Sequence, residues 1–449
     1  MTSTREIPQS PRSHRRAVAT SVVVGTALEW FDMFLYASMA SVVFAPVFFP
    51  DVDPRVGAVS SLATFAVGYL ARPVGAILLG PVADRHGRRT ALAITFILMG
   101  VGTFLIGTIP GYDVIGIWAP ILLVLLRLLQ GLGAGAEQGT AFITAYEHAA
   151  RGKRGIFGSL PALGVNIGLF ASSVVVAAIT AMPREDLLSW GWRIPFIASG
   201  VLVVIGWWVR SHMPESPVYE REVDQKQPRS FGRWIAEMAR LCTEHWRGLL
   251  TVTLVTVGYN AITYMYKTFG QSYLAEFRQE PAWIGAVGVA LAAVVGIVMV
   301  PASGWLADRY SVRLTLSLGA GLTVLMAFPY FWFLDSGRTG LVWAGLIIGT
   351  GFAAPLIFAS FGEFLSRQFP PEVRSTGVSI REIAGAVSGG FVPVWALAIV
   401  TASNGTTTWG VSLLFIAAAL CVFAALATDH LRAEKTPNTS TSTTKEIVR

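Results

Sequence analysis

Several ionisable residues interrupt long apolar stretches of this sequence. Glu29 and Asp32 break the run that begins at Ala17. Arg72 interrupts another, Arg127 and Glu137 lie within a third, and Lys267 and the pair Arg381 and Glu382 fall in later ones. A charge in hydrocarbon is costly, so each is kept for a partner or for a function. Glu29 and Asp32 are three residues apart, which places them on one helical face that Tyr36 continues. Two neighbouring carboxylates in a low dielectric cannot both ionise easily, so such a pair can exchange a proton near neutral pH. The plainer alternative is a salt bridge from either carboxylate to Arg72 or Arg127 that only positions helices.

Arg127, Gln130, Ala134 and Glu137 recur at helical spacing and form one polar stripe. The spacing predicts Arg127 at the depth of Asp32, where it could pair alternately with that carboxylate and with a solute anion. Protonating Asp32 would free Arg127, and Glu137 is a second candidate proton site or gate partner. Arg72 precedes Pro73, which removes a backbone hydrogen bond and lets the helix bend; it suits an anion site or a pairing with Glu29. Further along, Tyr259, Asn260, Thr263, Tyr264 and Tyr266 make a polar, aromatic run. Tyr259, Thr263 and Tyr266 share one face, and Asn260, Tyr264 and Lys267 share another. Lys267 is either an anion ligand or a lysine that snorkels to the outer interface. Asn166, between Gly164 and Gly168, is a candidate cavity residue. The candidate proton-coupling residues are thus Asp32, Glu29 and Glu137. The candidate substrate ligands are Tyr36, Arg72, Arg127, Gln130, Asn166, Tyr259, Asn260 and Lys267.

These residues need elements that cross a membrane. The 449 residues are 53% hydrophobic and 14% charged, with a mean hydropathy of +0.57. Soluble domains carry about a quarter charged residues, so most of this surface cannot face water. A spanning helix takes about 20 apolar residues. Twelve such spans are expected, at 18–47, 58–80, 90–109, 117–141, 155–180, 193–210, 249–271, 282–305, 313–334, 341–364, 376–401 and 409–428. The predicted fold class is an all-α membrane protein with two six-helix bundles. A tail at 1–17 precedes the first bundle (18–210), and a polar loop at 211–248 carries an interfacial helix. The second bundle is 249–428, and a disordered tail occupies 429–449.

The formal net charge of +7 could suggest nucleic acid. The arginines instead cluster in alternate loops, as in Arg12, Arg15 and Arg16, then Arg85, Arg88 and Arg89, then Arg151 and Arg154. That is the positive-inside pattern of a multi-pass protein with both termini cytoplasmic. The expected partner is therefore a lipid bilayer and not nucleic acid. No cleavage site follows the first apolar run, which is read as a retained helix. Cys242 and Cys421 give neither a disulfide framework nor metal spacing, and no cofactor is expected beyond a coupling proton. Gly131, Gly133 and Gly135 mimic a dinucleotide turn, but inside a span glycines usually serve close helix packing.

One pattern occurs twice. G-x-x-x-D-R is read at Gly80, Asp84 and Arg85 after the second span, continued by Gly87, Arg88 and Arg89. It returns at Gly304, Asp308 and Arg309 after the eighth. Duplicated halves around a central site are a common way to build a transporter.

With these loops the sequence resembles the major facilitator superfamily. More narrowly, it is similar to the metabolite:proton symporters, which include permeases for shikimate, α-ketoglutarate, citrate and proline or betaine. The stretches that carry the resemblance are GTALEWFDMFLYAS (25–38), FAVGYLARPVGAILLGPVADRHGRR (65–89), RLLQGLGAGAEQG (127–139), GWRIPFI (191–197), PESP (214–217) and FPPEVRSTG (369–377). The second loop motif lacks the glycine and one arginine of a full copy, Arg367 replaces a usual acidic residue, and Ala136 stands in a usual Gly-Gly-Glu. The charged pair Arg381 and Glu382 replaces polar, neutral residues of relatives. The resemblance implies gating by Gly80, Asp84, Arg85, Gly87, Arg88, Arg89, Asp308 and Arg309, whose contacts break as the halves rock. It also implies symport, because residues 158–173 lack the Gly-Pro motif of drug antiporters. A small-molecule partner, a monomeric state and a bacterial cytoplasmic membrane are further expectations implied by the resemblance. The expected function is proton-coupled import of a small organic anion, a carboxylate of shikimate-like or dicarboxylate type. A zwitterion symporter for proline or betaine is the alternative, and a non-transporting membrane receptor is a second. No nucleophile and base that would make an enzyme are present in the sequence.

Overall fold

The computed structural model describes residues 12–86, 88–135, 153–201, 241–370, 374–403 and 408–435, with positions 145, 149, 239 and 405; these residues contain helices and no strand. Among the described residues the principal helical segments are numbered in chain order, leaving aside the short helices between them. In the first half they are α1 (Arg12–Val42), α2 (Pro54–His86), α3 (Arg88–Ile106), α4 (Trp118–Ala134), α5 (Leu160–Thr180) and α6 (193–201). In the second half α7 runs through Trp246–Tyr264, a π turn at Met265–Phe269 and Gly270–Phe277. Next come α8 (Ala282–Arg309) and α9 (Val312–Met326). The helix α10 runs from Thr339–Leu346 through a π turn at Ile347–Ala353, and Phe361–Arg367 continues its course. The last two are α11 (Arg374–Ala402) and α12 (Trp409–Lys435).

Two tail boundaries shift. The first helix starts at Arg12 rather than 18, and the last continues to Lys435 rather than ending at 428. Hydropathy marks where lipid begins, whereas backbone hydrogen bonding carries a helix on into water. Most of the 211–248 loop and its interfacial helix lies outside the described residues.

Among the described residues seven helices are long and apolar enough to cross a membrane, and three shorter apolar helices accompany them. The outer surface agrees. Val298, Leu325, Leu413 and Leu420 are each more than half exposed, an arrangement that lipid satisfies and water does not. Inside the first half α1 packs on α5, and α4 fits against α2 and α3; inside the second, α7 packs on α11 and α12. Between the halves α5 meets α8 and α2 meets α11, two contacts related by the internal repeat. The glycines of α4 do serve packing: a Cβ on Gly133 would stand 2.7 Å from both Met99 Cγ and Thr95 O of α3.

The GWRIPFI stretch has a structural explanation. Arg193 donates to the carbonyl of Gly107 at 3.2 Å and to that of Ile109, just past the end of α3. Those acceptors have no intrahelical donors, and a cation there also suits the helix dipole. The guanidinium lies 4.5 Å over the ring of Trp192, itself packed among Phe44, Phe48 and Phe196. Hydrogen bonds to a charged group contribute about 1.5–3 kcal/mol. Arg193→Ala is therefore expected to lower thermal stability in detergent by that amount while leaving the substrate KM of uptake unchanged. A changed KM with unchanged stability contradicts this role.

Candidate functional site

The charged residues of the first half assemble into one buried layer, though not in the pairs that spacing suggests. Glu29 meets Arg72 of α2 across 3.3 Å, and both side chains are only 2% exposed. Asp32 turns instead toward α3, where the single hydroxyl proton of Thr103 is shared between its Oδ2 at 3.1 Å and the carbonyl of Met99 at 2.9 Å. The expected carboxylate dyad is thus divided between two partner helices. A separation of three residues leaves side chains about 60° apart around a helix axis, enough for one to face α2 and the other α3.

Arg127 does not form an ion pair with Asp32, contrary to the alternating pair read from the sequence. It reaches that residue through neutral groups. Its Nη1 donates to Gln130 Oε1, Gln130 Nε2 donates to Thr103 Oγ1 at 2.7 Å, and Thr103 serves Asp32. The result is a buried chain Arg127–Gln130–Thr103–Asp32 across three helices. The other oxygen of Asp32, Oδ1, is buried without a hydrogen-bond partner. The guanidinium of Arg127 also lies 4.0 Å from the ring centroid of Tyr36 and 5.1 Å from that of Phe65. Tyr36 is fully buried, with its hydroxyl 2.6 Å from Thr64 Oγ1. Arg127 and Tyr36 are thus both buried, with the guanidinium covered by the two rings.

A ring-lined layer faces the second half. Tyr69 of α2 and Tyr264 of α7 share a hydrogen bond between hydroxyls, with ring centroids 5.7 Å apart and nearly perpendicular. Gly389 of α11 admits them both, since a Cβ there would stand 3.0 Å from Tyr69 and 3.2 Å from Tyr264. Arg72 lies over Tyr69 at 4.8 Å and Trp30 at 5.8 Å. Lys267 enters the same layer from α7 and is 2% exposed, so it does not snorkel outward.

Other candidates lie elsewhere. Tyr259 stacks on Phe358 at 4.4 Å and 9° within the second half, and Asn260 lies against Gly385 of α11. The π turn changes the helical phase after Tyr264, so Tyr266 packs on Tyr330 and Phe415 rather than sharing a site with Tyr259. Asn166 lies where α5 meets α8: its amide donates to Ala162 O at 2.9 Å, and a Cβ on Gly296 of α8 would meet its oxygen. Glu137 and Gly87 lie outside the described residues, as do the side chains at Gly80, Asp84, Arg85, Arg88, Arg89, Arg381 and Glu382.

The second loop motif reaches across to the other half. Asp308 accepts from the backbone N–H of Gly155 at 2.6 Å and of Ile156 at 3.0 Å, on the opposite half of the molecule. Gly304 permits the approach, since a Cβ there would stand 2.8 Å from Gly155 O. Arg309 instead remains beside Trp305 and Tyr310 of its own segment. Near the other end, Ser41 Oγ meets Thr268 O at 3.4 Å and Arg55 lies 5.5 Å over Phe277. The halves thus touch at both ends.

Spacing did not single out Thr103, Trp30, Phe34 or Gly155. Only Thr103 left a signal, as a hydroxyl isolated in an apolar span.

Known proteins align with this arrangement over most of its length. A family model described as Major Facilitator Superfamily matches residues 22–393. The inner membrane metabolite transport protein YhjE of Escherichia coli (strain K12) is 36% identical over 434 residues, which cover 94% of this chain and 96% of that protein. The proline/betaine transporter of the same organism is 33% identical over 87% of this chain and 78% of its own length. The shikimate transporter, also from E. coli (strain K12), is 32% identical over 87% and 89%. Among solved structures, the partially occluded inward-open xylose transporter XylE from E. coli superposes with a TM-score of 0.69 at 17% identity, covering 93% of this chain and 98% of that one.

Proposed function

Because the chain belongs to the major facilitator superfamily, whose members are membrane transporters and not enzymes, we propose that it is a proton-coupled symporter that imports a small organic anion by alternating access. The observation that carries this reading is the chain Arg127–Gln130–Thr103–Asp32, which ends on a buried carboxylate with one unpartnered oxygen. As a carboxylate, Asp32 accepts from Thr103 and draws the donors of the chain toward itself. Once protonated it is a donor as well, and the orientation that passes from Arg127 to Asp32 is lost. A proton on Asp32 is thereby felt at Arg127 and at Tyr36 and Phe65, the rings that cover it. The ring layer beyond those side chains is where the halves separate and where a solute enters.

Both termini are assigned to the cytoplasm, on the arginine-rich loops. Asp308, capping Gly155 and Ile156, then closes the cytoplasmic end and must release them before discharge. With one proton per monoanion the cycle is electroneutral and is driven by the pH difference. Each pH unit supplies about 1.36 kcal/mol, or about tenfold accumulation. Uptake of radiolabelled organic acids into proteoliposomes should therefore follow an imposed inward proton gradient and collapse with protonophore. Accumulation indifferent to both overturns the coupling. The relatives named as proline/betaine transporters favour a second reading, a zwitterion symporter. Competition of uptake by glycine betaine rather than by carboxylates selects it.

A further inference from the structure

Two of the three buried cations in the site are provided for. Arg72 has Glu29, and Arg127 has Gln130 and two ring faces. Lys267 is different. Its side chain is buried, yet among the described residues no carboxylate lies within ion-pair distance and its ammonium makes no hydrogen bond. Rings surround it instead. Its Nζ stands 3.7 Å from the centroid of Phe34, 4.7 Å from Tyr264 and 5.9 Å from Trp30. Phe34 and Trp30 come from α1, so both halves build the enclosure. The residue also sits within the π turn of α7, a distortion that reorients side chains and recurs at functional positions.

A desolvated ammonium without an anion is unfavourable, and ring faces return only part of that loss. An anion supplied from outside completes the site. We propose that Lys267, Phe34, Trp30 and Tyr264 form the recognition site for a monocarboxylate carried on a planar, unsaturated or aromatic body. This deepens the transport reading above and rests on it. The carboxylate meets Nζ, and the flat body lies against the rings in offset or edge-on contact. A second carboxylate would find Arg72 already held by Glu29, and Arg127 buried behind Gln130 and the rings of Tyr36 and Phe65. A quaternary ammonium would stand beside the positive charges of Lys267 and Arg72, which already occupy cation positions over these rings.

The test is calorimetric titration of the purified full chain in detergent, at one pH and without a gradient. The ligands are benzoate, cyclohexanecarboxylate, succinate and glycine betaine. Benzoate is expected to bind at least tenfold more tightly than any of the other three. Lys267→Met should abolish that binding while raising the thermal midpoint of the ligand-free protein, because it removes an uncompensated charge. Lys267→Arg should keep measurable binding. Tighter binding of succinate or glycine betaine, benzoate binding unchanged in Lys267→Met, or no binding by any ligand overturns the proposal. Benzoate binding combined with uptake indifferent to a pH gradient leaves this site standing and sinks the coupling. Gradient-driven uptake of succinate without benzoate binding does the reverse.

Discussion

Asp32→Asn is expected to abolish concentrative uptake while leaving substrate exchange across the membrane in place. Asparagine has the shape of the carboxylate, and its amide oxygen still accepts from Thr103, so the chain back to Gln130 and Arg127 survives. What disappears is the ability to gain and lose a proton. With an imposed gradient of one pH unit, the parent should accumulate substrate about tenfold, and the variant should stop at equal concentrations on the two sides. Counterflow, in which unlabelled substrate inside draws labelled substrate in, needs only alternating access and should persist. The two assays separate coupling from folding, because a misfolded variant loses both. If Asp32→Asn accumulates substrate as the parent does, Asp32 is a structural residue and the mechanism proposed here fails.

The helices were legible because a membrane enforces a simple code: apolar runs of fixed length between polar loops. The repeated G-x-x-x-D-R pattern was legible for a related reason. Gly304 must be small for α8 to approach Gly155, and Asp308 must be acidic to accept two backbone donors. The charges that the sequence places inside apolar spans and the structure describes, Glu29, Asp32, Arg72 and Arg127, are all buried, and so is Lys267, for which spacing left snorkelling open. Their pairing did not follow from sequence. Which helix Asp32 faces depends on how α1 lies between α2 and α3, and spacing along one helix carries no information about its neighbours. Neutral intermediates such as Thr103 add little to any charge pattern, although they decide that Arg127 acts on Asp32 indirectly. The π turn is likewise hidden: it advances the phase by one residue, sending Tyr266 into the second half and Lys267 toward the first.

The Glu29–Arg72 pair decides whether the first half holds one proton site or two. Removing one member of a buried ion pair strands the other charge and costs about 3–5 kcal/mol, whereas replacing both with apolar residues of similar volume is often neutral or stabilising. Glu29→Leu and Arg72→Met alone should each lower the thermal midpoint in detergent by that energy, and the double variant should recover most of it. The interaction energy follows from the cycle, since the two residues are in direct contact. Expected alongside is gradient-driven accumulation in the double variant, because Asp32 and its chain to Arg127 are untouched by either change. Arg72 lies over Tyr69 and Trp30 as well, so a modest rise in substrate KM is compatible with this outcome. A double variant that folds stably, exchanges substrate and still cannot accumulate it would assign a transported proton to Glu29. The carboxylates three residues apart would then act together after all, through different partner helices.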